Sequence, residues 1–217
     1  MKLLNVNING NAKLKNTDKV RFMIWNLPAR ETCPFKTDGC SRSCYAIRSE
    51  RYPSCKESRQ RNYAETLASD FVSNMIYTIE KRLSSRAFKN KKAIFRIHES
   101  GDFYSLEYTA VWVEIAKHFQ NDHRIVFTAY TKSIEFFVKC GYGCTGFPNN
   151  LVVRASLWHD TLENLRELTY MYDFPTFAAV ECFPADHRYF TECRGSDCAT
   201  CLKCYNNYTM NILTLIH

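Results

Sequence analysis

The chain has 217 residues, of which 46% are hydrophobic and 24% charged, and its formal net charge is +7. This length suits a single domain, residues 1–217, with a sizeable core, and the composition is that of an ordinary globular protein. No run approaches the roughly 18 apolar residues of a membrane span, and the first residues lack the apolar stretch of a signal peptide. We therefore expect a cytoplasmic protein that does not engage the membrane.

The first predicted element is a buried strand over residues 20–29, and a cysteine loop follows it at residues 33–55. In this loop Cys33, Cys40 and Cys44 are spaced C-x6-C-x3-C. The chain contains eleven cysteines. Because this number is odd and no secretion signal is evident, a metal or iron–sulfur site is favoured over a disulfide framework. Three thiolates can hold a 4Fe–4S cluster and leave one iron open to a small ligand.

Strands and helices then alternate. Further strands are predicted at 93–98 and from residues 124, 151 and 176, and helices at 57–88, 105–119, 132–138 and 160–170, the last capped by Asp160 or Thr161. This alternation indicates βαβ units and a parallel sheet. A closed eight-stranded barrel typically needs about 250 residues. The expected fold class is therefore α/β, with a partial, incomplete TIM-like barrel of parallel strands over residues 20–183.

The remaining segment, residues 184–217, is predicted to bind a cluster through a second run of cysteines. These are Cys193, Cys198, Cys201 and Cys204, and their spacings match those of plant-type and bacterial ferredoxins. Structural zinc sites usually pair two C-x2-C knuckles across a longer spacer, so an iron–sulfur cluster is favoured and zinc is the alternative. The expected cofactor is one or two 4Fe–4S clusters.

The ligand that completes each site is left open by the spacing. Cys55 or one of the C-terminal cysteines can complete the first site, and Cys182 is a further candidate. Cys140 and Cys144, which lie in a glycine-bearing loop, are either additional ligands or free thiols.

Polar residues follow the second predicted strand in the sequence HESGD, residues 98–102. In parallel α/β folds ligands gather at the carboxyl ends of the strands. His98, Glu99, Asp102 and Arg154 are therefore the candidate catalytic residues. Alternatively, His98 is a hydrogen-bonded structural residue, Asp102 caps the turn, and Arg154 pairs with a carboxylate because an unpaired charge inside a strand is costly.

One basic patch leaves nucleic acid open as a partner, although a solvated helix end and loop is the favoured explanation of this patch. Its residues are Lys81, Arg82, Arg86, Lys89, Lys91 and Lys92. The aromatic side chains of Tyr45, Tyr104, Trp112 and Trp158 are expected in the core rather than as a stacking platform.

Three stretches carry a resemblance to a known family. They are TCPFKTDGCSRSCYA, HESGDFYSLEYTAVW and CRGSDCATCLKC. They resemble the phage "gene product 88" family over about residues 20–205. This resemblance implies a viral origin, hence a host cytoplasm, and a cysteine-bound centre, but it does not imply an activity.

The chain is also similar, more loosely, to radical S-adenosylmethionine enzymes. Those enzymes carry a C-x3-C-x2-C loop after the first strand and a Gly-Gly-Glu motif after the second. Cys40 and Cys44 match the first two cysteines, but Ile47 occupies the third position, so Cys33 would act as the third ligand. By this similarity Glu99 and Asp102 would bind the cofactor, S-adenosylmethionine.

Two hypotheses follow. The first is a phage-encoded iron–sulfur protein that is a radical-type enzyme, or a degenerate relative of one, acting on an unidentified small molecule. The second is a non-catalytic iron–sulfur or zinc module that binds a host protein or nucleic acid.

Overall fold

A computed structural model describes residues 1–11, 13–179, 190–193, 195, 197–206 and 210–214. Its strands are β1 Val20–Trp25, β2 Lys92–Ile97, β3 Ile125–Thr131, β4 Leu151–Leu157, β5 Thr176–Ala179, β6 Phe190–Cys193 and β7 Asn211–Thr214. Its helices are α1 Asp38–Arg42, α2 Tyr45–Ser49, α3 Pro53–Thr66, α4 Phe71–Leu83, α5 Leu106–His118, α6 Ile134–Lys139, α7 Glu163–Met171, α8 Cys198–Cys201 and α9 Lys203–Asn206.

The seven strands form one parallel sheet in the order β1-β2-β3-β4-β5-β7-β6. The first five strands are adjacent in chain order, and at least one helix connects each to the next. The sheet is open, with β1 and β6 at its edges. The predicted α/β class and parallel sheet are therefore confirmed, whereas a TIM-like barrel is not.

The two faces of the sheet are covered differently, because successive side chains of a strand point to opposite faces. On one face Trp25, Phe95 and Phe127 pack with residues of α4, α5 and α6 in the main core. On the other face Phe22 and Ile94 pack in a smaller cluster with residues of the C-terminal segment. The cysteine-rich segment therefore lies on the sheet face opposite the main helical layer.

The predicted helix over 57–88 is wrong as a single element. It consists of α3 and α4, which are separated by a turn at residues 67–70. Leu67 belongs to the predicted apolar face, yet its side chain is exposed, whereas Phe71 and Met75 are buried. The apolar spacing continues across the turn although the helix does not.

The helix caps agree with the sequence only in part. Ser105 caps α5 as predicted, and its hydroxyl accepts a hydrogen bond from the Tyr108 N–H at 3.1 Å. Neither Asp160 nor Thr161 caps α7, whose N-cap is Leu162. Asp160 instead contacts the cysteine loop, and the Thr161 hydroxyl accepts a hydrogen bond from the Trp158 N–H.

Two strands lie in the segment expected to contain only a cluster site. β7 pairs with β5, and β6 pairs with β7, so this segment extends the sheet beyond the five predicted strands. Within the residues that the structure describes, no helix combines the length and the apolar character needed to cross a bilayer.

Candidate functional site

The first candidate site is the group of Cys33, Cys40 and Cys44, named here the rim thiol group, which follows the carboxyl end of β1. The turn that contains Cys33 is held by the Thr32 hydroxyl, which donates to the Pro28 carbonyl oxygen at 2.8 Å. Cys40 lies within α1, and Cys44 immediately precedes α2. Two short helices therefore bring three thiols to one edge of the sheet.

Asp160 holds this loop from the carboxyl end of β4. Its Oδ2 accepts a hydrogen bond from the Gly39 N–H at 2.6 Å, and its Oδ1 accepts one from the Thr37 hydroxyl at 2.7 Å. A Cβ on Gly39 would lie 2.6 Å from His159 Cε1 and 3.0 Å from both Asp160 carboxylate oxygens. Glycine is therefore needed at this position because two segments distant in sequence approach closely.

The rim thiols lie in one another's electrostatic field. Burial, and to a smaller extent the charges of Asp102, Cys40 and Cys44, raise the pKa of Cys33 to about 12. Burial also raises the pKa of Cys40, against the lowering influence of Lys132. Cys33 and Cys40 are therefore protonated and neutral near neutral pH unless a cation binds to them.

Lys132 is a member of this site that the sequence analysis missed. It is 6% exposed, and its ammonium donates to the carbonyl oxygen and the hydroxyl of Ser156 at 3.2 and 3.3 Å. Burial lowers its pKa, whereas the negative charges of Cys40, Asp102 and Cys33 raise it. Lys132 could have been predicted, because it directly follows β3 and ligands gather at the carboxyl ends of parallel strands. The same argument had selected the residues after β2.

His98 does not face the rim. It is 2% exposed and lies among aromatic rings, with its Nε2 3.0 Å from the Tyr108 hydroxyl. Burial, together with the charge of Arg96, lowers its pKa to about 3, so the ring is neutral at physiological pH. The structural alternative given for His98 matches these contacts.

The two carboxylates of the HESGD turn have different surroundings. Asp102 is buried, and its oxygens accept hydrogen bonds from the Phe103 N–H, the Thr131 hydroxyl and the Lys132 N–H. Burial raises its pKa, although these hydrogen bonds lower it. Glu99 is only half-buried, and its carboxylate accepts a hydrogen bond from the Asn11 side chain. Asp102 therefore holds two strand ends together, and Glu99 has the freer carboxylate.

The second candidate site is the group of Cys193, Cys198 and Cys204, named here the C-terminal thiol group. Burial raises the pKa of Cys198, and the charges of Cys204 and Cys193 raise it further while the Tyr205 hydroxyl lowers it. Cys193 and Cys204 therefore lie near enough to Cys198 to affect its ionisation, and their predicted role as ligands stays a prediction. Cys201, the fourth member of the run, is exposed.

Two arginines lie on the sheet face that the C-terminal segment covers. Arg154 is completely buried, and its guanidinium donates to the carbonyl oxygens of Cys204, at 3.2 Å, and Met210. Arg96 lies over the Tyr130 ring, with 3.6 Å between its Cζ and the ring centroid. Arg154 thus binds the backbone of the C-terminal segment.

The other predicted ligands take no clear part in either group. Cys55 lies in the first turn of α3, and Cys140 follows α6. Cys144 is exposed on the loop before β4. Cys182 lies outside the residues that the structure describes.

Each thiol group fits a soft metal or an iron–sulfur cluster in donor chemistry, because cysteine sulfur is the usual ligand of both. Among the described residues, however, no three His, Cys, Asp or Glu side chains form an arrangement that could hold a metal ion. The described thiols therefore do not form a ligand set, and the cofactor predicted from their spacing stays a prediction.

Comparison with known proteins gives two matches. A family model described as "Gene product 88" matches residues 1–207. The chain is also 28% identical over 194 residues to the "Gene 88 protein" of Mycobacterium phage D29, an alignment that covers 81% of this chain and 78% of that protein. No solved structure matches the chain. The family match spans both thiol groups and the HESGD turn between them.

Proposed function

This chain belongs to the gene product 88 family of bacteriophage proteins, and we propose that it is an iron–sulfur protein whose rim thiol group binds a 4Fe–4S cluster. One observation carries the proposal: Cys33, Cys40 and Cys44 lie on one loop at the carboxyl edge of a parallel sheet, and the charges of Cys40 and Cys44 contribute to the raised pKa of Cys33. The similarity to radical S-adenosylmethionine enzymes adds to it only as a prediction.

Electrostatics supports a cationic occupant. Ionised rim thiols would place three negative charges beside Asp102 and Asp160, with Lys132 as the opposing cation. Burying such unbalanced charge is costly. A bound metal centre deprotonates coordinating thiols and supplies the missing positive charge. Burial is the main cause of the raised pKa values of Cys33 and Cys40, and a bound cation would lower them.

The C-terminal thiol group supports a second cluster. Its spacing is that of ferredoxins, and Cys193 lies near enough to both Cys198 and Cys204 to raise their pKa values. Cys201 is exposed and would have to turn inward to become a fourth ligand. Crowding of four cysteines within twelve residues favours an iron–sulfur cluster over a zinc site built from separated knuckles.

Three cysteines would leave one iron of the cluster without a protein ligand. We therefore propose, more specifically, that the protein is an enzyme of the radical type. An open iron can bind a small molecule such as S-adenosylmethionine. Glu99, which is half-buried at the same edge, is the candidate partner for the amino group of that molecule. Asp102 is a weaker candidate, because donors of the chain itself occupy both of its oxygens.

Anaerobic purification from iron-supplemented cells, with analysis of iron, acid-labile sulfide and zinc, tests the proposal. We expect a brown protein that contains iron and sulfide. A colourless protein with stoichiometric zinc would instead support the zinc alternative. Calorimetric titration of the reduced, cluster-loaded protein with S-adenosylmethionine tests the enzyme form separately: heat of binding that Glu99→Gln reduces supports it, and no heat with the wild type argues for a non-catalytic cluster.

A further inference from the structure

A cleft beside the rim thiol group is lined by aromatic and basic residues and by no cysteine. It lies where α2 ends and α3 begins and has a volume of about 560 Å³. Its lining consists of Tyr45, Arg48, Ser49, Arg51 and Tyr52. Two aromatic rings and two guanidinium groups therefore border one open depression next to Cys44.

The two tyrosine rings are unusually open to solvent. Tyr45 is 60% exposed and Tyr52 is 70% exposed. The Tyr45 hydroxyl donates to the Glu99 carbonyl oxygen, so its ring is held in place at the polar end while its face stays open. Tyr45 was expected in the core, and this prediction is wrong because the ring extends over the rim. An ordered, exposed ring is a ready surface for stacking.

The charge of this region is positive. Arg48 and Arg51 are exposed, and no acidic residue lines the cleft. Glu50, which lies between them in sequence, forms a salt bridge with Arg59 at 2.9 Å and accepts a hydrogen bond from the Ala29 N–H. Residues 30–61 contain eight Lys or Arg and four Asp or Glu, so the excess positive charge concentrates here.

We propose that this cleft binds single-stranded nucleic acid, with bases stacked on Tyr45 and Tyr52 and phosphates beside Arg48 and Arg51. Stacking on aromatic rings accepts any base, and arginine contacts the phosphates without reading sequence. A duplex hides the faces of its bases, so the exposed rings favour a single strand. The proposal does not depend on the proposed cluster, because the cleft is formed by residues other than cysteines.

Fluorescence anisotropy with labelled single-stranded DNA and RNA of mixed sequence, at several salt concentrations, tests the proposal on the full chain. We expect single-stranded DNA and single-stranded RNA each to bind more tightly than the corresponding duplex. Tyr52→Ala should weaken binding about tenfold, since a stacked base contributes roughly 1–3 kcal/mol, and should leave the salt dependence unchanged. Tyr170→Ala, which removes an equally exposed ring on α7, is the matched control and should have no effect.

The arginines have a different expected signature. Arg48→Gln combined with Arg51→Gln should lower the slope of log affinity against log salt by about 1.4, because each phosphate contact of a single strand contributes about 0.7. Arg86→Gln combined with Lys89→Gln removes the same charge from the basic patch after α4 and should leave the slope unchanged. Circular dichroism verifies that all variants fold.

Three results would overturn the proposal. One is binding of duplex as tight as that of single strands. Another is that the double variant of Arg86 and Lys89 loses as much affinity as the cleft variants. Nucleic acid would then bind to basic residues across the surface rather than to the cleft. The third is binding of polyglutamate or anionic vesicles that Tyr52→Ala weakens to the same extent, which would assign the cleft to an acidic protein or a membrane surface. Iron content is measured in the same samples, so failure of this proposal and failure of cluster binding are distinguished.

Discussion

Asp160 and Gly39 are 121 residues apart in sequence, yet the Asp160 carboxylate accepts a hydrogen bond from the Gly39 N–H at 2.6 Å. This contact joins the carboxyl end of β4 to the middle of the loop that carries the rim thiol group. Because the Thr37 hydroxyl donates to the other oxygen of the same carboxylate, the loop is held against the sheet by two hydrogen bonds from one side chain.

Asp160→Asn should destabilise the protein. An amide keeps one acceptor oxygen but presents an NH₂ group where the second donor now points. Hydrogen bonds to a charged group contribute about 1.5–3 kcal/mol, and we expect a loss of that order in the free energy of unfolding, measured in denaturant. Glu167→Gln, which neutralises an exposed carboxylate on α7, is the control and should change stability little. Equal stability of the two variants would contradict the role given to Asp160.

The contribution of Asp160 should depend on pH. Burial opposes ionisation of this carboxyl, but the hydrogen bonds from Thr37 and Gly39 outweigh it and hold the pKa of Asp160 below its usual value. A pKa lowered by folding adds stability above the unfolded value, about 3.9, and this stability is lost as pH falls through the folded pKa. The stability difference between wild type and Asp160→Asn should therefore be constant near neutrality and shrink below about pH 4. A difference that grows on acidification would refute this account.

Asp102 and Glu99 should respond differently to the same change. Asp102→Asn leaves three donors facing a side chain with one acceptor oxygen. We expect a loss of about 1–3 kcal/mol and a lower melting temperature. Glu99→Gln keeps the oxygen that faces Asn11 and should change stability by less than about 0.5 kcal/mol. If both variants are equally stable, the Asp102 carboxylate does not hold the strand ends together.

Cys33→Ser should remove iron from the rim thiol group if the proposed cluster is bound there. Serine is a poor substitute for a thiolate at iron, so we expect iron and sulfide per chain to fall together in the purified protein. Cys144→Ser is the matched control, because this cysteine is exposed on a loop outside both groups, and its iron content should equal that of the wild type. Unchanged iron in Cys33→Ser would exclude this thiol as a required ligand.

Arg154→Met should loosen the C-terminal segment. The substitution leaves the carbonyl oxygens of Cys204 and Met210 without the guanidinium that now donates to them. Loss of a partner for a buried acceptor costs about 1–3 kcal/mol. We expect faster proteolytic cleavage after residue 190, detected by mass spectrometry, while the sheet core stays resistant. Cleavage at the wild-type rate would show that β6, β7 and the small apolar cluster retain the segment without Arg154.

Much of the fold follows from local patterns. Apolar runs identified the first five strands, and their alternation with helices predicted a parallel sheet, because parallel neighbours require long crossover connections. Clustering of cysteines located both thiol groups, and the rule of strand ends located the HESGD turn. The strands β6 and β7 were missed because each is only four residues long, and β6 also ends at Cys193, which had been assigned to a cluster site.

Residue types and spacing by themselves determined that this protein has an α/β sheet and two clusters of cysteines. Both features follow from residues that are close together in the sequence. Only the tertiary structure decided that Lys132 and Asp160 belong to the rim, that His98 lies in the core and that Arg154 holds the C-terminal segment. It also placed the Tyr45 ring in solvent. The reason is that burial and hydrogen-bond partners arise between segments far apart in the chain, such as Asp160 and Gly39, and no local pattern records which strand end will meet which loop.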